Sequence, residues 1–331
     1  MFSSFVLRHC FIIRYSSFVI LLMEILRSIP ELAHLPGPLF LAIGVFDGVH
    51  LGHQAVISTS AEHAQAANGT AIVVTFDPHP EKILRPDKAP HLLTATPHKI
   101  ALIRAFGVRH LLIITFNRQF AATEPEDFVR QLVQHSKPLR EICVGHEWSF
   151  GKNRRGNLEL LTKLGTEFDF NVVGIPPVTV HDEIVSSTTI RRAVETGDLQ
   201  KAAAMLGREY TILGTVVRGD DLGKKIGFPT ANLSAHSEQF PPNGVYFAEA
   251  TLDGKRCPGV VNLGYRPTVS SGKSGRVLEI HLLDFEAGIY GKDLEVRFLC
   301  YLRPEKKFES VDALVRQIER DVQKARKLAA A

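Results

Sequence analysis

Strand-like and helix-like segments alternate through residues 23–206, and from residue 207 onward short β-rich runs follow one another with no helix between them. Alternation at that spacing predicts a parallel sheet flanked by helices, an α/β fold whose ligands bind beyond the carboxyl ends of the strands. The second texture, with Gly, Pro and Asn between the runs, predicts a small antiparallel β-barrel, and an amphipathic tail predicts a helix packed on it. Two parts, 23–206 and 207–331, are therefore expected in this chain of 331 residues.

The first β-α-β unit rests on Leu41–Phe46, a short apolar run, on Gln54–Ala67, which is Ala-rich and stopped by Asn68-Gly69, and on the β-rich run Thr70–Phe76. Helix signals recur at Pro97–Phe106 and Pro125–His135, and strand signals at Arg109–Phe116, Glu141–Val144 and Asn171–Ile175. Asp198–Leu206 reads as a short helix ended by Gly207, which sets the boundary. Barrel strands are expected at Tyr210–Val217, Gly244–Thr251, Gly259–Leu263, Val277–Asp284 and Leu294–Leu302. Beyond them Val311, Leu314, Val315, Ile318 and Val322 share one helical face behind Ser310, a suitable N-cap. Residues 1–22 carry Arg8 and Arg14 but no acid, and Phe18–Met23 is too short to span a bilayer. Because Met23 opens an ordinary domain start, 1–22 is expected to be a mis-assigned start or a dispensable extension.

Composition narrows the function. At 45% hydrophobic and 22% charged the chain is too apolar to be disordered. Its net charge of +4, from 39 basic and 35 acidic residues without dense Lys/Arg runs, argues against nucleic acid and suits small anionic substrates. Cys10, Cys143, Cys257 and Cys300 form no C-x-x-C pair, so neither a zinc knuckle nor a disulfide framework is indicated, and a reducing cytoplasm is the expected compartment.

The segment F-D-G-V-H-L-G-H, Phe46 to His53, lies where the first strand hands over to the first helix, so backbone N–H groups and the helix dipole favour an anion there. His50 and His53 are three apart and face one side of the turn; Gly52 between them lets a ligand approach the backbone. Imidazoles with a pKa near about 6.5 can bond phosphate oxygens and gain charge as phosphoryl charge develops. An isolated H-x-x-H is more often structural or metal-binding, but no Cys or acidic cluster completes a tetrahedral site here. Asp47 is a candidate for touching substrate or metal and equally a turn former.

H-L-G-H resembles the H-x-G-H signature of the nucleotidyltransferase superfamily, and F-D-G-V-H-L-G-H-Q its form in bacterial bifunctional riboflavin kinase/FAD synthetases. T-F-D-P-H-P (Thr75–Pro80), V-G-H-E-W-S-F-G (Val144–Gly151) and V-S-S-T-T-I-R (Val185–Arg191) resemble further segments of that family in order, from about Met23 to the chain end. The resemblance implies a Rossmann-like nucleotidyltransferase domain in which Phe46, Asp47, Gly48, Gly52, Ser187 and Thr188 bind ATP. It also implies that His50, His53 and Arg191 assist attack of the FMN phosphate on the α-phosphorus, releasing pyrophosphate. Read alone, Ser-Ser-Thr is a helix cap. Three positions depart from the family pattern: Glu147 replaces the usual Asp or Asn, Ser149 an Arg or Thr, and Val45 a polar or small residue.

In the second part, G-D-D-L-G-K-K-I-G-F-P-T-A-N-L (Gly219–Leu233) is a Gly- and Lys-containing loop without the P-loop pattern. P-T-A-N resembles the riboflavin kinase signature, which implies a riboflavin kinase-like barrel. There Gly219, Gly223 and Lys224 would approach ATP, while Thr230 and Asn232 would arrange its phosphates and Mg²⁺. Leu278-Glu279-Ile280-His281-Leu282 alternates, with Glu279 and His281 on one face. The likeness of L-E-I-H-L-L-D-F to the family's catalytic strand makes Glu279 the expected general base toward the ribityl hydroxyl of riboflavin. N-L-G-Y-R-P-T, I-Y-G-K and L-R-P-E-K-K-F also match, and Arg266 and Arg303 could bind phosphate or flavin or form internal salt bridges.

The expected ligands are therefore ATP, riboflavin, FMN and Mg²⁺, with no nucleic acid, no membrane, and a monomer or weak oligomer. A single-activity riboflavin kinase with an adenylyltransferase weakened at Glu147 and Ser149 is the nearest alternative. A flavin-binding sensor without turnover is another, opposed by the presence of both residue sets. A nucleic-acid-binding barrel lacks the basic, aromatic-interleaved stripe it needs.

Overall fold

In a computed structural model, residues 23–330 are described except 220–221, 237–238, 267–274 and 286, and the expectation for residues 1–22 lies outside them. Six strands form a parallel sheet: β1 (Glu24–Leu26), β2 (Leu39–Ile43), β3 (Thr70–Asp77), β4 (His110–Thr115), β5 (Leu139–Gly145) and β6 (Asn171–Ile175). Their order is β1-β4-β3-β2-β5-β6, so the chain leaves β2 toward β3 and β4 on one side and returns to β5 on the other. A crevice opens beyond the strand carboxyl ends at such a reversal. Helix α1 (Leu51–Ala66) follows β2, and α2 (Pro80–Leu84), α3 (Thr96–Ala105), α4 (Arg118–Ala121), α5 (Pro125–His135) and α6 (Leu158–Phe168) fill the later connections. A short hairpin, β7 (Thr179–Val180) with β8 (Glu183–Ile184), precedes α7 (Ser187–Thr196) and α8 (Leu199–Leu206).

The second part is a closed antiparallel barrel in the order β10-β13-β12-β11-β14-β9. Its strands are β9 (Thr211–Val217), β10 (Ala231–Ala235), β11 (Gly244–Leu252), β12 (Lys255–Arg266), β13 (Gly275–Leu282) and β14 (Asp293–Arg303), with the single turn α9 (Leu222–Lys225) between β9 and β10. Both predicted architectures are present. Closure removes the exposed edges an open antiparallel sheet would carry. The last helix, α10 (Val311–Ala329), begins at Ser310, whose hydroxyl accepts from the Ala313 N–H at 3.2 Å. Val322 and Ala325 pack it on Val245, Phe247 and Val260 of the barrel's outer face, whereas Val311, expected on the same face, is 57% exposed.

Three local differences from the sequence reading have clear causes. The strand expected to reach Phe46 stops at Ile43, because Phe46 turns to a φ of 54° and buries its ring against α1. The helix expected at Gln54 starts at Leu51, because His50 caps it through its own ring. A sixth barrel strand, β10, forms from Ala-Asn-Leu-Ser-Ala, a run with no β-branched residue, because β9 and β13 pair with it on both sides.

The two parts share a hydrophobic core. Leu93 and Ile190, Val194, Met205 and Leu206 of α7 and α8 join one cluster with the barrel interior, including Tyr210, Ile212, Val216, Leu263 and Ile280. Gly207 ends α8 at a φ of +69°, with its Cα against Leu51 of α1, where a Cβ would lie 2.7 Å from the Leu51 side chain. His98 of α3, buried, meets Glu295 at 3.3 Å and Thr211 at 3.2 Å on the barrel. Among the described residues no helix is long and apolar enough to cross a membrane.

Candidate active sites

The first site is built on a strained turn. Between β2 and α1 the backbone takes positive φ at Phe46 (54°), Gly48 (85°) and Val49 (41°), and a β-branched residue such as Val pays a steric penalty there. Such a turn persists only where its surroundings hold it, and here each carbonyl from Val45 to His50 has a partner. The Val45 oxygen accepts from Lys99 Nζ at 2.8 Å and Thr75 Oγ1 at 3.0 Å, and the Asp47 oxygen from Ser187 Oγ at 2.9 Å. Arg208 donates to the Gly48 oxygen at 2.8 Å and the Val49 oxygen at 3.1 Å, the latter shared with Gln54 Nε2 at 2.9 Å. Backbone N–H groups of Val49 and Gln54 close on the Phe46 and His50 oxygens.

Asp47 holds the turn from inside. Its buried carboxylate accepts from the Leu93 and Thr94 N–H groups at 3.2 and 2.9 Å, from Thr94 Oγ1 at 3.3 Å, and from Arg191 Nη2 at 2.5 Å. Thr94 Oγ1 in turn accepts from the Gly48 N–H at 2.9 Å. Arg191 also donates through Nε to the His91 oxygen at 2.8 Å, so two of its three nitrogens are engaged within the protein. Of the residues expected to meet phosphate, Asp47, Ser187 and Arg191 thus also hold one another and the turn. Thr188 is exposed at the start of α7, where Ser186 caps the helix by accepting from the Thr189 N–H at 3.1 Å.

His50 and His53 stack face to face, with centroids 3.5 Å apart. The His50 Nδ1 accepts from the His53 N–H at 3.3 Å, which leaves the proton of a neutral ring on Nε2, a donor for any ligand oxygen. Burial pushes His50 down to about 4, with Arg208 and Arg191 lowering it further against the opposing pull of Asp47. Burial, reinforced by His50 and Lys99, holds His53 well below the ordinary histidine range. Both rings are therefore neutral near pH 7, and the expected gain of charge has to come from an arriving anion. A Cβ on Gly52 would lie 3.2 Å from the His50 ring, so glycine keeps that face open. Lys99 itself is buried and pushed down to about 8 by desolvation, against Asp47 and Asp77.

Beside the turn lies a cavity of about 600 Å³. Phe76, Phe116, Phe120 and Phe128 line it with ring centroids 5.7 to 6.0 Å apart, and Trp148 stacks on Phe150 at 4.5 Å. Val45 and His79 join it to the histidine turn. The sequence reading missed this aromatic chamber, although all three residues that depart from the family pattern, Val45, Glu147 and Ser149, border it.

The second site is a cavity of about 310 Å³ on the outer face of the barrel, beneath α10. Asn232, Glu279 and Asn262 lie opposite one another on β10, β13 and β12, so they form one row facing it. Leu278, Ile280 and Leu282 point the other way into the core, as the alternation predicted. Thr230, Gly223 and Phe228 close one side; His281 Nδ1 donates to the Pro229 oxygen at 2.8 Å and fixes the loop. Gly219 and Gly223 are required by close approach, since a Cβ would meet Asn232 Nδ2 at 2.1 Å and the Phe228 oxygen at 2.4 Å. Among the described residues Asn232 Oδ1 is buried with no protein partner, in the same cavity as Thr230, and oxygen ligands of this kind suit Mg²⁺. Arg303 borders the cavity but pairs with Asp321 of α10 at 2.8 Å. The Lys224 and Arg266 side chains, and Thr268, lie outside the described residues.

Fold and sites together define a two-part transferase for phosphate-bearing small molecules. A family model described as FAD synthetase matches residues 33–189, and one described as riboflavin kinase matches residues 206–329. A bifunctional riboflavin kinase/FMN adenylyltransferase of Escherichia coli (strain K12) is 37% identical over 306 residues, covering 92% of this chain and 97% of that protein. One from Bacillus subtilis (strain 168) is 36% identical over 288 residues, 86% of this chain and 90% of that one. A solved Streptococcus pneumoniae structure described as a macrolide-efflux protein superposes with a TM-score of 0.76 at 26% identity, covering 92% and 99% of the two chains. The chain belongs to the bifunctional riboflavin kinase/FMN adenylyltransferase family.

Proposed function

We propose that this protein phosphorylates riboflavin to FMN in its barrel (207–331) and adenylylates FMN to FAD in its α/β domain (23–206), with ATP as donor in both steps. The observation that carries the reading is that motif segments of the family line two cavities of different character in one chain, Phe76, His79 and Glu147 to Gly151 the first, and Gly223, Thr230, Asn232 and Glu279 the second. The aromatic chamber suits the flat isoalloxazine ring, and the histidine turn beside it suits a triphosphate.

In adenylyl transfer the FMN phosphate oxygen attacks the α-phosphorus of ATP and the pyrophosphate leaves. His50, through Nε2–H, and His53 donate to the phosphate oxygens, and the triphosphate raises the proton affinity of both rings as it binds. Arg191, Ser187 and Thr188 at the start of α7 receive the leaving pyrophosphate, together with the helix N-terminus. The chamber around Trp148 and Phe150 orients the flavin, so positioning supplies much of the rate. Glu147 at its mouth takes the acceptor role of the shorter acid seen in relatives.

In the kinase step Glu279 removes the proton from the ribityl hydroxyl, which attacks the γ-phosphorus in line while ADP departs. Asn232 and Thr230 present their oxygens to the nucleotide and its cation, and Gly219, Gly223 and Lys224 belong to the loop that covers the phosphates. Mg²⁺, when bound, neutralises the phosphate charge that builds up. Arg303 is assigned to fixing α10 over the cavity through Asp321. A cytoplasmic setting, where ATP is abundant and thiols stay reduced, fits this chemistry.

The test is incubation of the full chain with riboflavin, ATP and Mg²⁺ while FMN, FAD, ADP and pyrophosphate are separated. FMN with ADP, then FAD with pyrophosphate, is the expected result. FMN alone would reduce the protein to a kinase and direct attention to Glu147 and Ser149, and neither product would overturn the enzyme reading.

A further inference from the structure

The histidine turn is gripped by side chains from several segments of the α/β domain and by one from outside it. Lys99, Thr75, Ser187 and Gln54 all precede Gly207, but Arg208 follows it, in the link between α8 and the first barrel strand. Its Nη2 donates to the Gly48 oxygen at 2.8 Å, and its Nη1 to the Val49 oxygen at 3.1 Å and to the Leu206 oxygen at 3.3 Å. The Gly48 and Val49 carbonyls belong to the two positive-φ residues immediately before His50. Among the described residues the Gly48 oxygen has no other donor, so the guanidinium fork and the Val49 N–H, which donates to the Phe46 oxygen, together set that peptide plane.

The surroundings fix the fork. Gly207 bends away from α8 against Leu51, Gln54 Nε2 ties the Leu206 oxygen to the Val49 oxygen, and buried Tyr210 donates to the Gln239 oxygen at 2.7 Å. Gln239 reaches back through its own N–H to the Leu92 oxygen, next to the Leu93 N–H that Asp47 accepts. The barrel thereby braces both the turn and the 91–94 loop on which Asp47 rests. The guanidinium also lies close enough to both histidines to lower their proton affinity.

We infer that Arg208 is a positioning residue for adenylyl transfer: it holds the Gly48 and Val49 peptides so that His50 and the α1 N-terminus face the triphosphate, and the α/β site is complete only when the barrel's leading segment is in place. This rests on the adenylyltransferase reading of the histidine turn. Arginine is required because two carbonyls on adjacent peptides are held by one planar fork, which a lysine ammonium cannot reproduce. Arg208 touches neither the aromatic chamber nor the kinase cavity. Its loss therefore acts on the turnover of adenylylation and spares flavin binding and phosphorylation.

The test uses the full chain carrying Arg208→Lys, Arg208→Met or Arg208→Ala, with FMN adenylylation and riboflavin phosphorylation assayed separately on each preparation. For Arg208→Met the expected result is a kcat for adenylylation lower by about 10- to 100-fold, a KM for FMN within about twofold of the wild type, and unchanged kinase turnover. Arg208→Lys should recover only a minor part, and low-millimolar guanidinium should partly restore Arg208→Ala but not the wild type. Full adenylylation by Arg208→Met, or equal loss of both activities in all three variants, would overturn the inference. A wild-type chain that never adenylylates FMN would instead remove the reading on which it rests.

Discussion

The two sites solve the same problem, holding a polyphosphate beside a flavin, by opposite means. In the α/β domain most of the polar side chains are bound to the protein before any ligand arrives, His53 Nδ1 being an exception among the described residues. Asp47 accepts four hydrogen bonds, Arg191 gives two, and the stacked histidines are desolvated and neutral. In the barrel, Asn232 keeps a buried oxygen without a protein partner among the described residues, and the chain between β9 and β10 includes Gly219, Gly223 and Gly227. A site that is rigid in advance gains rate from preorganisation, whereas one that leaves an oxygen open lets the nucleotide and its cation complete it. The contrast predicts that perturbations of the first site act through stability and geometry, and those of the second through ligand binding and chemistry.

The largest expected effect is at Glu279. Glu279→Gln should lower riboflavin phosphorylation by on the order of 10²- to 10⁴-fold and leave adenylylation of supplied FMN unchanged, as read from initial rates of ADP and pyrophosphate release. His50→Ala should do the reverse, lowering adenylylation by about 10²- to 10³-fold with kinase turnover intact. If either substitution removed both activities, the sites would not be separable and the contrast would fail.

Acid stability sharpens the comparison. The fold keeps His50 and His53 neutral, so above about pH 6.5 neither state holds a proton on them. Between about 6.5 and 4 the unfolded chain takes up a proton on His50 that the folded chain refuses, and stability falls with falling pH by up to roughly 1.4 kcal/mol per unit, with His53 adding a loss of the same sign. Denaturant titrations across that range should show the loss in the wild type and a smaller slope in His50→Ala. An equal slope in both would place the pH dependence elsewhere. The smallest effect is expected from Trp148→Ala, which removes one stacked ring from the chamber. An aromatic contact of about 0.5–1.5 kcal/mol corresponds to a KM for FMN raised about 2- to 12-fold, with kcat and the kinase reaction little changed.

What the sequence made legible was local. H-L-G-H, P-T-A-N and the alternation around Glu279 each lie within one segment, and periodicity located most strands because Val, Ile and Leu repeat at the spacing that burial needs. Ser310 and Gly207 marked helix ends because capping is a property of a few neighbouring residues. The features that stayed hidden depend on distance along the chain. Arg208 meets Gly48 across 160 residues, and nothing in R-E-Y separates it from an ordinary surface arginine. Phe76 on β3, Phe116 and Phe128 between β4 and β5, and Trp148 after β5 reach one chamber, each resembling an ordinary core residue. Phe46 reads as the end of a strand because it is apolar, yet tertiary hydrogen bonds hold its backbone at positive φ. The helix Leu158–Phe168 also escaped the sequence reading, although Leu161 and Leu164 repeat on its buried face.

The most direct test of two separate sites in one chain is to mix Glu279→Gln and His50→Ala proteins with riboflavin, ATP and Mg²⁺. Each variant alone should stop short, the first at riboflavin and the second at FMN, while the mixture should accumulate FMN and then convert it to FAD. A mixture that makes no more FAD than the two variants do separately would contradict the account.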